Sequence, residues 1–119
     1  MIGLDLSEAH LQSANLEGAD LRGANLHDAD LRGARMAGVN LSKANLRGAL
    51  FSPLPLGARS TPVGLAGAKM RFASALAGDF RQAVMDGADL RGGDFSGADF
   101  RGASLEDARL DRAMGLQVA

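Results

Sequence analysis

The chain has 119 residues, enough for one domain, with thirteen basic and fourteen acidic side chains and a formal net charge of −1. That balance removes the simplest electrostatic case for binding nucleic acid or an anionic membrane. There is no cysteine, which excludes disulfides, thiolate metal sites and cysteine nucleophiles, and no apolar run approaches the roughly 20 residues of a membrane span.

The N-terminus, Met1-Ile2-Gly3-Leu4-Asp5-Leu6-Ser7-Glu8, carries acids where a signal peptide is basic, so a cytoplasmic protein is expected. From Leu4 the chain reads in fives, as in Ala14-Asn15-Leu16-Glu17-Gly18 and Ala19-Asp20-Leu21-Arg22-Gly23. This register covers 4–53. It returns, shifted, over 63–112, as in Ala88-Asp89-Leu90-Arg91-Gly92.

Three columns carry the pattern. The first position is Ala in fifteen of twenty units, the exceptions being Leu4, Val39, Val63, Gly78 and Gly93. The third is apolar throughout: Leu6, Leu11, Leu16, Leu21, Leu26, Leu31, Met36, Leu41, Leu46, Phe51, Leu65, Met70, Ala75, Phe80, Met85, Leu90, Phe95, Phe100, Leu105 and Leu110. The fifth holds ten of the sixteen glycines. At about 100° per residue, five residues rotate an apolar position by roughly 140°, so no helical face forms. A long strand fails as well, because its alternation stays at two. A short strand does fit, with positions one and three inward and two outward, followed by a corner at four and five where Gly is favoured. Strand and corner repeated wind a solenoid whose coils are spaced at the sheet distance of about 4.8 Å.

The Ala-(Asp/Asn)-(Leu/Phe/Met)-x-x pattern resembles the pentapeptide-repeat family over about 100 of the 119 residues. The resemblance implies an all-β fold, a right-handed, four-sided parallel β-helix with four units per coil and about five coils. The third-position residues, Ala75 aside, form its structural core stack and the Ala column fills the corners. One domain, 1–119, is expected, with a short apolar cap over 113–119 that either plugs the last coil or mediates end-to-end dimerisation.

Residues 52–62 hold all three prolines and interrupt the pattern. Pro cannot donate to a ladder. Leu54-Pro55-Leu56 passes as a degenerate unit, leaving four extra residues, Arg59 to Pro62. The segment reads as a projecting loop that contacts a partner or as a tolerated kink. The resemblance implies the former role in some relatives, since members that protect DNA gyrase from quinolones carry loops of this kind.

Outward columns pair acid with base inside one unit, as in Asp20/Arg22, Asp30/Arg32, Asp79/Arg81, Asp89/Arg91 and Asp99/Arg101. This neutralisation argues against a DNA mimic, the role that the resemblance brings from gyrase-binding members. Apolar residues outside the core columns, or next to the break and the C-terminus, form the candidate partner or dimer patch: Leu50, Leu54, Leu56, Phe72, Leu76, Met114 and Leu116. The alternative is that the Pro-rich segment folds back and covers them. His10 and His27 fall in different columns, and no nucleotide, hydrolase or zinc-protease motif is present. The expectation is a non-catalytic scaffold without metal or cofactor. It binds an unidentified protein or forms a homodimer, with no direct contact to nucleic acid or membrane; modulation of a topoisomerase is the alternative.

Overall fold

A computed structural model describes residues 3–57 and 59–116. Each five-residue unit but 49–53 closes a reverse turn. The third-position carbonyl accepts from the first-position N–H of the next unit, as in Ala9 N–H to Leu6 O (3.1 Å) and Ala24 N–H to Leu21 O (3.0 Å). The fifth residue stands third in that turn. Its φ is positive in every unit but the one ending at Pro53. Ten of these positions are glycine. Nine are not, among them Lys43 (φ 63°), Phe72 (φ 59°) and Gln82 (φ 59°). The left-handed conformation costs an L-residue about 1–2 kcal/mol, so the winding overrides local preference there.

The remaining backbone groups tie one coil to the next. Parallel bridges join Asp5 to Asn25, Asn25 to Asn45 and Asp30 to Leu50, each twenty residues apart, so four units complete a coil. The N–H groups of positions two, three and five all donate to the neighbouring coil, as in Asn25 N–H to Leu4 O (2.8 Å), Leu6 N–H to Asn25 O (2.7 Å) and Glu8 N–H to His27 O (2.7 Å). The fourth-position N–H has no backbone partner. Where the second position is Asp or Asn its side chain takes it: Asp20 Oδ1 accepts from Arg22 N–H (3.2 Å), Asn25 Oδ1 from His27 N–H (3.1 Å) and Asn40 Oδ1 from Ser42 N–H (3.1 Å). The Asp/Asn preference of position two therefore completes the backbone's hydrogen bonding.

Third-position side chains fill the interior. From Leu26 to Phe95 they are fully buried. Toward the ends the stack opens: Leu6, Leu11, Leu16 and Leu105 are half-buried, and Leu110 is 38% exposed. Leu110 thus departs from the expected core, because it sits in the last coil with a neighbour on one side only. Phe51, Phe80 and Phe100 stack down one column at ring separations of 4.7 and 4.9 Å, each pair within 5° of parallel, while Phe95 meets Phe80 edge-on from the next column. Such pairs add about 0.5–1.5 kcal/mol each beyond the area they bury. They also explain two exceptions in the Ala column. A Cβ at Gly78 would lie 2.7 Å from the Phe80 ring, and one at Gly93 2.6 Å from the Phe95 ring.

The interruption differs from expectation. Arg35 bridges Gly64 and Leu50 bridges Asp79, a separation of 29 residues in place of twenty, so nine residues, 54–62, stand outside the coil. Leu54-Pro55-Leu56 is not a degenerate unit. It forms β1 (Leu54–Leu56), paired antiparallel with β2 (Arg59–Thr61), Leu54 opposite Thr61. Ser52 and Pro53 stay in the last unit before the exit. Pro53 holds the fifth position, where the turn needs a positive φ that the pyrrolidine ring, locked near −65°, forbids. The turn cannot close there, and the chain leaves the coil. Joining Gly at position 53 to Val63 with 54–62 deleted is therefore expected to give a folded chain with an unchanged far-ultraviolet spectrum. Deletion with Pro53 kept is expected to lower the urea midpoint clearly.

Candidate interaction surface

The bridges define four faces, each followed by the corner made from positions four and five. Their second-position residues run Asp5–Asn25–Asn45–Ser74–Asp94 on the first face and His10–Asp30–Leu50–Asp79–Asp99 on the second. They run Asn15–Arg35–Gly64–Val84–Ser104 on the third and Asp20–Asn40–Lys69–Asp89–Arg109 on the fourth.

Charge is balanced unit by unit only on the second face. There Arg32, Arg81 and Arg101 fork onto Asp30, Asp79 and Asp99 with N–O distances of 2.8 Å. The hydrogen bond from Arg32 holds the Asp30 carboxyl below its ordinary value. Burial pushes Asp79 upward, but the hydrogen bonds from Arg81 outweigh it and the net direction is down. The first face and its corner carry four acids, Asp5, Glu8, Asp28 and Asp94, against Arg47. The third carries Glu17, Asp86, Glu106 and Asp107 against Arg35. The fourth reverses the sign, with seven cations (Arg22, Lys43, Lys69, Arg71, Arg91, Arg109, Arg112) against Asp20, Asp89 and Asp111. The net charge of −1 is thus a cancellation between faces.

Two of those cations are occupied: Arg22 forks onto Asp20 and Arg91 onto Asp89, each at 2.7 Å. Among the described residues, no carboxylate stands within ion-pair distance of Lys43, Lys69, Arg71, Arg109 or Arg112. The corner after the fourth face is also grooved. One hollow of about 280 Å³ is lined by Arg71, Phe72, Arg91, Gly92, Asp111 and Arg112, and another of about 270 Å³ by Arg22, Gly23, Ser42 and Lys43. Phe72 is 56% exposed, the most exposed large apolar side chain described. Its ring lies on Gly92, where a Cβ would come within 2.5 Å of it, and the Arg71 guanidinium stands 5.8 Å from the ring centroid.

The expected apolar patch is not one surface. Leu50 is half-buried on the second face. Leu54 lies over Gly33 at the corner after that face, where a Cβ on Gly33 would meet it at 3.0 Å. Leu54, where the hairpin begins, thus rests on the coil, but at the corner diagonally opposite Phe72, which stays exposed. Phe72 and the half-buried Leu76 stand at the two ends of one first-face unit, and Met114, 54% exposed, bridges Asp94 at the foot of the same face. Leu116 packs against the core. The side chain of Leu56 and residues 117–119 of the expected cap lie outside the described residues. His27 stands 3.3 Å from Asp28, and among the described residues no group of His, Asp and Glu is arranged to hold a metal. The charge of the fourth face was hidden in the sequence, because units must be assigned to faces before it appears.

A family model for Pentapeptide repeats matches in eight copies, over residues 1–36, 14–52, 65–102 and 79–114. No curated protein matches the chain. Among solved structures, it is similar to the pentapeptide repeat protein Rfr23 from the cyanobacterium Cyanothece 51142 (TM-score 0.69, 22% identity, covering 81% of this chain and 59% of that one). It is also similar to trypsin-treated QnrB1, a plasmid-mediated fluoroquinolone resistance protein (TM-score 0.61, 22% identity, 87% and 48%). Full-length QnrB1 matches with a TM-score of 0.55 at 19% identity, 95% and 59% covered. The chain spans about half to three-fifths of these proteins' lengths.

Two outcomes are expected. Asp30, Asp79 and Asp89 all titrate below the ordinary carboxylate value of 3.8 in the folded chain. The stability they contribute is then full above about pH 4 and lost as pH falls through the lowered values. Urea midpoints are expected to be flat from pH 7 to about 5 and to drop below about 4. Phe72→Gly relieves left-handed strain of about 1–2 kcal/mol while giving up only partial burial, so no loss of stability is expected in the same assay.

Proposed function

Because the chain belongs to the pentapeptide-repeat family, we propose that it is a right-handed, four-sided β-helical scaffold of the cell interior. In this reading it works by binding a protein on its outer surface, without catalysis or cofactor. The observation that carries this is Phe72: a large apolar side chain, 56% exposed, in a backbone conformation that disfavours it. The setting supports the reading. Backbone donors are consumed by neighbouring coils and by position-two side chains, which makes a stiff support, and the chemistry-bearing side chains stand in shallow corner grooves.

A second reading, modulation of a DNA topoisomerase, draws on the fold likeness to QnrB1 and on the acid surplus of the first and third faces. The neutral second face and the cationic fourth weigh against it, since a mimic needs acid density like that of a phosphate backbone.

Cross-linking capture from the source cell, with light scattering on the purified chain, tests the scaffold reading. A discrete protein partner or a homodimer is expected. A lone monomer that retains nothing overturns it. In a gyrase supercoiling assay neither inhibition nor rescue from a quinolone is expected, and either effect would establish the second reading.

A further inference from the structure

The corner after the fourth face has three properties found together nowhere else among the described residues. It carries cations with no carboxylate in ion-pair distance (Lys43, Arg71 and Arg112), it is grooved along its height, and it exposes one aromatic side chain. Its backbone is bonded coil to coil, with Lys43 N–H to Arg71 O at 2.9 Å and Phe72 N–H to Arg91 O at 3.0 Å, so the side chains project from a fixed support. Resting the Phe72 ring on Gly92 has a second effect. The ring forms one wall of the groove, and Arg71 and Arg112 flank it.

We propose that this corner is the docking site for an acidic peptide segment of a protein partner. An apolar side chain of that segment packs on Phe72, and its carboxylates meet Arg71 beside the ring, Lys43 in the coil above and Arg112 below.

Charge and width choose this occupant. The cationic strip is one face wide, about 10 Å for three extended residues at roughly 3.3 Å each. Acidic faces lie on both sides of it. A DNA duplex is broader than the strip and would place phosphates against Glu17, Asp94 or Glu106. An extended peptide fits within the strip, whose cations repel basic competitors, while the acidic flanks repel any polyanion wide enough to reach them. A single nucleic-acid strand is also narrow, but such strands are held by successive aromatic platforms, and this corner offers one. A buried aromatic anchor ringed by polar contacts is the usual centre of a protein interface.

The inference rests on the scaffold reading and deepens it. The test is fluorescence anisotropy on the full chain. The probe is a labelled glutamate-rich peptide with one central leucine. Comparison probes carry serine for the leucine, carry lysine for the glutamates, or are a labelled oligothymidylate. The leucine peptide is expected to bind and to weaken as salt rises. The serine peptide and the Phe72→Gly protein are each expected to weaken binding about tenfold, as loss of an anchor does. Arg71→Glu with Arg112→Glu is expected to abolish it. Arg101→Glu, a change on the second face, is expected to leave it intact. Phe72→Gly is expected to fold, so its loss of binding reports on the site. The proposal is overturned if the lysine peptide or the oligothymidylate binds at least as tightly, or if binding is indifferent to Phe72 and Arg112. It is also overturned if these changes instead dissolve a salt-sensitive dimer seen by light scattering. A cell partner still captured by the Phe72→Gly protein would sink this site and leave the scaffold reading standing.

Discussion

Every fifth residue must carry its backbone through the left-handed region, and that requirement organises the molecule. It closes the turn, directs the N–H groups of positions three and five to the next coil and that of position two to the preceding one, and points the third side chain at the axis. Glycine meets the demand without strain at ten positions. Elsewhere the ladder enforces it on Asp28, Lys43, Phe72 and others, so ladder hydrogen bonds and core burial must exceed the strain of those turns. Where proline holds the position, no ladder can help, and the chain leaves.

The interior shows how a narrow core is closed with few residue types. Alanine fills the corners and leucine the axis through the first half. From Phe51 onward an aromatic column replaces leucine on the second face, and Gly78 gives up a Cβ to the Phe80 ring as Gly93 does to the Phe95 ring of the first face. Close packing makes these adjustments obligatory, since inward-facing columns have no slack to absorb an extra ring.

The period, the columns and the buried stack were legible because each residue's role depends on its place within its own unit. Two things were not. The first is the extent of the interruption. Leu54-Pro55-Leu56 has the apolar, polar-free look of a weak unit, and only its antiparallel pairing with Arg59–Thr61 shows otherwise. Pro53 in a column of positive φ was the available signal. The second is the distribution of charge, and it follows from the first. Counting Leu54-Pro55-Leu56 as a unit of the coil rotates every later unit by one face. Arg71, Phe72, Arg91 and Arg112 then no longer line up beneath Arg22 and Lys43. Balanced Asp–Arg units read along the chain also concealed that Lys43, Lys69 and Arg71 have no acid in their own unit. The second-position Asp and Asn looked like surface charge and polarity, while their side chains complete the hydrogen bonding of the turn.

The hairpin's mode of exit has a consequence for how such a chain can change over evolutionary time. Its two strands pair from Leu54 to Thr61, so it leaves and rejoins the coil at neighbouring points. Closing a span of 29 residues in place of twenty costs only about 0.3 kcal/mol of loop entropy. The ladder on either side keeps its register whatever lies between. This corner is therefore a point where new segments of varied length can be grafted and tried, with the rest of the molecule shielded from the trial.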